Sequence, residues 1–358
     1  MACQQAAGLR EAGYRVEVLT TVEANLDSSA SRIIDQSAPV EQWKRRSIPW
    51  LGLNGIFSLG LLYSLWARLR SSRDTVVHVH ASRDLICFPA IILCLLSRTP
   101  YVTQSHGMIV PCNSAPERLF DRLITRVLLR HASANLVLQE EELAAIAQVS
   151  GTRRRLKVVP NGVEIKEEQS WRDPCDPVVL FLAHLRENKR VSAFLEMAQI
   201  LAGRGVVARF VVAGPDGGDA EKVLSAIDRW PLLGRLTYLG AVSHARALEL
   251  TSMCSVYVLP SQYDPFPMSL LEALALGTPS VCTNRCGIAS ILIAKEAAVV
   301  TLPDAEYLAD AVEALLQDPT RREALSVRAR RFVGEDLSME ATVRELMSCY
   351  QHASQNWH

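Results

Sequence analysis

The feature that most constrains this chain is an alternation. Short runs of β-branched or apolar residues recur between longer amphipathic stretches. The first series of runs is "YRVEVLT" (14–20), "TVVHVH" (75–80), "TPYVTQSH" (99–106), "ANLVLQ" (134–139) and "LKVVPNG" (156–162). A second series follows: "PVVLFLAHL" (177–185), "VARFVVAG" (207–214), "RLTYLG" (235–240), "SVYVLPS" (255–261), "TPSVCT" (278–283) and "AAVVTL" (297–302). Helical periodicity fills the spaces at 84–97, 116–131, 139–149, 190–204, 219–229, 243–253, 267–276 and 304–317. Strand after helix after strand predicts an α/β fold with parallel sheets covered on both faces. Two series predict two doubly wound, Rossmann-like domains, with ligands in a cleft at the carboxyl ends of the strands.

The break between the series falls at Pro160-Asn161-Gly162, followed by the polar "VEIKEEQSWRDPCDP". Turn residues and a charged, Pro-containing stretch mark a linker. The expected domains are 1–162 and 163–335, with the terminal segment 336–358 forming a helix that packs back on the first domain. The first domain opens inside an apparent helix, "ACQQAAGLREAGY", where a doubly wound unit opens with a strand and a Gly-containing turn. A missing central strand would leave an exposed sheet edge.

Composition excludes several classes. Of 358 residues, 38 are Lys or Arg and 38 are Asp or Glu, so no bulk charge points to nucleic acid. Nine cysteines form no C-x-x-C; Cys282 and Cys286 have no His beside them, so no metal site is expected. The odd count and the lack of a secretory signal fit reduced thiols and a cytoplasmic location. Residues 47–66, "SIPWLGLNGIFSLGLLYSLW", carry no charge and have basic flanks. Pro49, Gly52, Asn54, Gly55 and Gly60 break the run, so it reads as a core or interface helix, or a membrane-surface element, rather than a span.

Chemistry concentrates in "YDPFPMSLLEALALGTP" (263–279), where Asp264 and Glu272 are the only charges. Pro267 suits the first turn of a helix that Gly277 ends. A strand, a short loop and a helix N-terminus form an anion site, and both carboxylates could face its ligand. The plainer reading is a capping Asp264 and a Glu272 on a solvated face. Upstream, "FLAHLRENKRV" crowds His184, Arg186, Lys189 and Arg190 at a strand exit, which suits a diphosphate. In "VTQSHGM" a strand exit carries His106 and Gly107.

Taken together these stretches resemble the retaining GT-B glycosyltransferases of family four, the group 1 glycosyl transferases. "VVPNGV" (158–163) is similar to that family's entry to the donor domain. "AHLRENKR" resembles G-R-L-x-x-x-K, and "LPSQYDPFPMSLLEALALGTPSV" resembles P-S-x-x-E-x-F-P-x-x-x-x-E-A-x-A-x-G-x-P. "YVTQSHGM" and "LLRHASANLVLQEEE" are similar to the acceptor half. The resemblance implies transfer of a sugar from a nucleotide diphosphate sugar to a glycan or lipid-linked acceptor, in polysaccharide or cell-envelope synthesis. It implies a donor site of His184, Arg186, Lys189, Asp264, Phe266, Pro267, Met268, Ser269, Leu270 and Glu272, with Glu272 on the ribose. His106, Lys189 and Asp264 are the implied catalytic residues, and His106 and Gly107 the acceptor contacts. No metal or other cofactor is expected. Membrane-surface contact at the inner face is open through the apolar, basic-flanked 40–70 region.

The chain departs from the pattern at three places. Asp264 stands for Glu, one methylene shorter; His184 stands for Arg; and "NRCGIASIL" carries Ser290 where a G-G-x-P-E loop is acidic. A non-catalytic nucleotide-sugar-binding relative is therefore the alternative. An epimerase of the same fold fits less well with two acids at this spacing.

Overall fold

The computed structural model describes residues 2–23, 40–48, 55–72, 74–111, 114–164, 170–229 and 235–356. The chain divides into two compact units, Met1–Gly162 with Met339–His358, and Val163–Ser338.

The first unit holds two sheets. β1 (Val18–Glu23) pairs in parallel with β2 (Val40–Ser47), and β3 (Ile56–Phe57) pairs antiparallel to β2. β4 (Val77–His80), β5 (Tyr101–Gln104), β6 (Ala134–Val137) and β7 (Leu156–Val158) form a parallel sheet in that order. Period-two alternation sends side chains to both faces. Tyr101 and Val137 join Ile91, Ile109 and Ile146 in one core. Val102 and Leu136 face the other way, onto Leu9 and onto Leu346 and Ala353 of the helix Met339–Asn356.

The stretch read as one element over 47–66 is divided. Its start ends β2, β3 follows at Ile56–Phe57, and the helix is Leu59–Ser71; residues 49–54 lie outside the described residues. Ser58 sets the later start, because its hydroxyl accepts the Leu61 N–H as an N-cap. Gly60 lies under Trp43, where a Cβ would come within 2.2 Å of the ring. Among the described residues no helix is long and apolar enough to cross a membrane.

The second unit is one sheet of six parallel strands. They are β8 (Val178–Leu182), β9 (Arg209–Ala213), β10 (Leu236–Tyr238), β11 (Val256–Leu259), β12 (Ser280–Thr283) and β13 (Val299–Thr301), in the order β10-β9-β8-β11-β12-β13. β8 and β11 are buried throughout, as middle strands covered on both faces must be. Phe181, Phe194 and Phe210 meet in tilted and edge-on pairs beneath the helix Val191–Gly203. Strand order reverses between β8 and β11, which makes their carboxyl ends the place where a doubly wound sheet opens to a ligand.

Candidate functional site

The loops leaving β8 and β11 meet there. Lys189 Nζ pairs with the Asp264 carboxylate; the ammonium side chain is 20% exposed and the carboxylate side chain 10%. Backbone contacts fix the same junction. Gln262 N–H donates to the Asn188 carbonyl at 2.8 Å, and Asn188 Nδ2 donates to the Tyr263 carbonyl at 3.1 Å. On its other side the Asp264 carbonyl accepts the Gly287 N–H at 2.9 Å, from the loop after β12.

The helix Met268–Leu276 begins directly behind this pair. Pro267 is its N-cap and supplies no side-chain cap. Asp264 therefore does not cap the helix; its partner is Lys189. Gly277 ends the helix in the left-handed region (φ +84°), with Thr278 N–H reaching back to the Ala273 carbonyl at 2.8 Å. Phe266 and Leu270 are both buried in the core. Ser269 Oγ lies 2.8 Å from the Tyr257 hydroxyl, which also donates to the Leu182 carbonyl at 3.2 Å and so joins β8, β11 and the helix start. Glu272 is not on a solvated face. Its side chain is 19% exposed, and among the described residues its ionic neighbour is His244 Nδ1 at 3.9 Å. Burial raises the pKa of this carboxyl, against a smaller opposing effect of His244.

The basic residues at the β8 exit are not equivalent. His184 and Arg186 are exposed. Arg190 is tied to the Pro303 carbonyl beyond β13. Beside this exit runs the loop after β9. Gly214 (φ +138°) passes so close to Ala183 that a Cβ would come within 1.9 Å of its carbonyl oxygen, so only glycine fits.

In the first unit His106 (φ +48°) and Gly107 (φ +75°) form the turn after β5. The buried Glu142 anchors that turn. One of its oxygens accepts the Ser105 hydroxyl at 2.7 Å and the Gly107 N–H at 2.6 Å, and the other accepts the Leu138 N–H at 2.6 Å. His106 Nε2 lies 2.6 Å from His80 Nδ1, with the ring planes 6° apart and centroids 4.9 Å apart. These values describe two rings sharing one proton in their common plane. His78 stacks on His80 at 4.6 Å, and its Nδ1 lies 2.6 Å from the Tyr350 hydroxyl. Burial lowers the pKa of His106 to about 4 and, with a further contribution from His106, that of His80 to about 3. His78 is also pushed well down by burial. All three imidazoles are neutral near pH 7.

The structure thus brings Lys189, Asp264, the start of the helix Met268–Leu276 and Glu272 to one end of the second sheet. In the first unit, His106 and Gly107 sit at one end of the β4–β7 sheet. Residues the sequence reading passed over are Asn188, Gln262, Tyr257, His80 and Glu142. For His80 a signal was present: "HVH" on a strand puts alternate histidines on one face. Among the described residues no group of three or more His, Cys, Asp or Glu is placed to hold a metal ion.

Comparison with known proteins agrees in both units. Residues 1–162 match the model of the glycosyl transferase 4-like domain, and residues 163–332 match that of the glycosyl transferases group 1. The 2-deoxystreptamine N-acetyl-D-glucosaminyltransferase of Niallia circulans is 30% identical over 307 residues, 81% of this chain and 76% of the relative. The alpha-D-kanosaminyltransferase of Streptomyces kanamyceticus is 29% identical over 331 residues, 84% of each chain. Among solved structures, Anabaena HepE in complex with UDP aligns with a TM-score of 0.76 at 17% identity, covering 97% of this chain and 95% of HepE.

Proposed function

Because this chain belongs to the group 1 glycosyl transferases, with the GT-B fold, we propose that its second unit binds a nucleotide diphosphate sugar and that the enzyme transfers the sugar with retained anomeric configuration. The observation that carries this reading is the junction of Lys189, Asp264 and the helix Met268–Leu276 at the β8–β11 reversal. Lys189 meets the diphosphate, with His184 and Arg186 beside it. Backbone amides of Met268, Ser269 and Leu270 add the positive end of the helix dipole. Glu272 accepts hydrogen bonds from the ribose hydroxyls, which resolves its buried, underpartnered carboxylate. Asp264, shorter than the family's Glu, holds Lys189 in place and contacts the transferred sugar.

In the transfer the acceptor hydroxyl oxygen forms a bond to the sugar's anomeric carbon on the face from which the diphosphate leaves. The bond from that carbon to the phosphate oxygen breaks, and the departing phosphate takes the hydroxyl proton. Charge develops on the phosphate, so Lys189 and the helix start are the main stabilisers. This reading assigns that charge to protein groups, without a metal. His106, with neutral imidazole fixed by His80, is assigned to the acceptor side together with Gly107.

Support for the donor comes from HepE, a structural relative solved with UDP and with UDP-glucose. The acceptor is proposed as a polysaccharide or cell-envelope glycan. A second reading, a soluble acceptor, is favoured by the curated relative named for 2-deoxystreptamine. Incubation with UDP-, GDP- and ADP-sugars and candidate acceptors, read by mass spectrometry and by anomeric NMR of the product, tests the function. Transfer with retained configuration is expected. Saturable nucleotide-sugar binding without transfer to any acceptor would favour a non-catalytic binder, and an inverted product would refute retention.

A further inference from the structure

Glu142 makes more bonds than a helix start requires. It is the third residue of the helix Glu140–Ser150, whose N-cap, Gln139, makes no side-chain cap bond. A glutamate at this position ordinarily reaches back to the N-cap backbone N–H, as the second half of a capping box. Here one oxygen accepts the N–H of Leu138, one residue further back. The other oxygen leaves the helix altogether. It accepts the Ser105 hydroxyl at 2.7 Å and the Gly107 N–H at 2.6 Å, from residues 37 and 35 positions away in the chain. Glu142 is 6% exposed, and these three partners are uncharged donors. A buried carboxylate without a cation is costly, and one local backbone N–H gives little reason to keep it there.

Ser105 and Gly107 flank His106. A single carboxylate oxygen therefore holds the chain on both sides of this histidine. His106 stands at φ +48° and Gly107 at φ +75°. A histidine in the left-handed region is strained and persists only where its surroundings fix it. The ring is fixed from a second direction. Its Nε2 lies 2.6 Å from His80 Nδ1. His80 in turn stacks on His78, whose Nδ1 lies 2.6 Å from the Tyr350 hydroxyl. With Nε2 taken, Nδ1 is the nitrogen of His106 that remains for a ligand. Glu142 sets the backbone, His80 sets the ring, and together they determine where Nδ1 points.

We infer that Glu142 is a positioning residue for the transfer reaction: by holding both neighbours of His106, its carboxylate seats the imidazole against His80 and aims Nδ1 at the acceptor. The inference rests on the assignment of His106 to the acceptor side. Glu142 acts through the histidine and touches no reacting atom.

The test compares the full wild-type chain with Glu142→Gln and Ser105→Ala. Glutamine keeps the shape but turns one acceptor oxygen into an NH2 group, so at least one of the three donors then faces a donor. Ser105→Ala removes a single bond and serves where Glu142→Gln does not fold. Histidine-selective 15N NMR of the free protein reads the His106–His80 hydrogen bond from the ring tautomers and the downfield shared proton. Transfer from UDP-, GDP- and ADP-sugars to the acceptors of the functional assay gives kcat/KM for the acceptor, beside the nucleotide Kd. Both variants should lose or shift the His106–His80 signals. The acceptor kcat/KM should fall about 10–100-fold in Glu142→Gln and about 3–10-fold in Ser105→Ala, with the nucleotide Kd within about twofold of wild type. Histidine signals unchanged in the folded variants overturn the inference, as does transfer within about twofold of wild type. A loss of transfer matched by an equal loss of folded protein or of nucleotide binding also overturns it, because that is the mark of a purely structural residue. If wild type transfers no sugar, the functional reading fails, and the NMR comparison alone decides whether Glu142 positions His106.

Discussion

Removing Lys189 tests the site as a structural object before any ligand is known. Lys189→Ala leaves the Asp264 carboxylate, whose side chain is 10% exposed, without its cation. Breaking a buried ion pair from one side costs about 3–5 kcal/mol, because a desolvated charge remains. The ammonium here is 20% exposed and the pair lies between loops, so water reaches the orphaned carboxylate and the cost falls at or below the bottom of that range, about 2–3 kcal/mol. For a unit of this size that is a fall in Tm of roughly 5–10 °C. Lys189→Ala/Asp264→Ala removes the unpaired charge and should recover more than half of the loss, which corresponds to a coupling energy of about 1–2 kcal/mol in the double-mutant cycle. Urea unfolding followed by circular dichroism, with both single variants and the double, measures it. A Lys189→Ala protein within about 0.5 kcal/mol of wild type, or a double variant no more stable than the single, would refute the claim that Lys189 and Asp264 form one buried unit. The outcome also governs how binding data are interpreted: nucleotide lost in Lys189→Ala alone mixes stability with recognition, whereas the double variant separates them.

Three further outcomes follow from the same geometry. Glu272→Gln should stabilise the unliganded protein by about 1 kcal/mol at neutral pH and weaken nucleotide binding by about 10–100-fold. Since burial raises the folded-state pKa of Glu272, its stability contribution is present below the ordinary value of 4.5 and lost as pH rises, so the variant's advantage should grow above that pH and vanish below it; melts at several pH values and calorimetry check both. His78, His80 and His106 have depressed folded-state pKa values, so their contribution is present above pH 6.5 and is lost as pH falls toward the folded values of about 3 for His80 and about 4 for His106. Stability should therefore fall as pH drops from 6 to 4, and His80→Gln should lessen that slope. Arg322 is buried and ties Asp173 at 2.6 Å and the Leu316 carbonyl at 2.9 Å, so Arg322→Ala should cost about 2–4 kcal/mol in urea unfolding while leaving nucleotide affinity unchanged in the folded fraction.

The fold was legible where burial writes a period into the sequence. Every strand read from an apolar run is present; the first begins four residues late and runs on to Glu23, while the others are shortened by a few residues at their ends, and β8, β11 and β12 are buried on both faces and tolerate little else. β2 was missed because "VEQWKRRS" packs in a small sheet with half-exposed side chains and shows no alternation. The helix Pro319–Asp336 is charged along most of its length, and its mark was local: Asp318 caps the Arg321 N–H and Pro319 takes the first position. In the site, the spacing of Asp264 and Glu272 located the right strand exit. It could not disclose that Asp264 turns to Lys189 while Glu272, among the described residues, has His244 at 3.9 Å as its ionic neighbour. That difference arises from a contact between residues 75 positions apart.

The measurement that bears most directly on the account is calorimetric titration of the full chain with UDP, GDP and ADP and their sugars, beside Lys189→Ala/Asp264→Ala and Glu272→Gln. The account predicts saturable binding of one nucleoside diphosphate and its sugar by wild type, with at least about tenfold weaker binding in each variant although both remain folded. Absence of binding to every nucleotide by the folded wild type would contradict it, and so would binding that both variants leave unchanged.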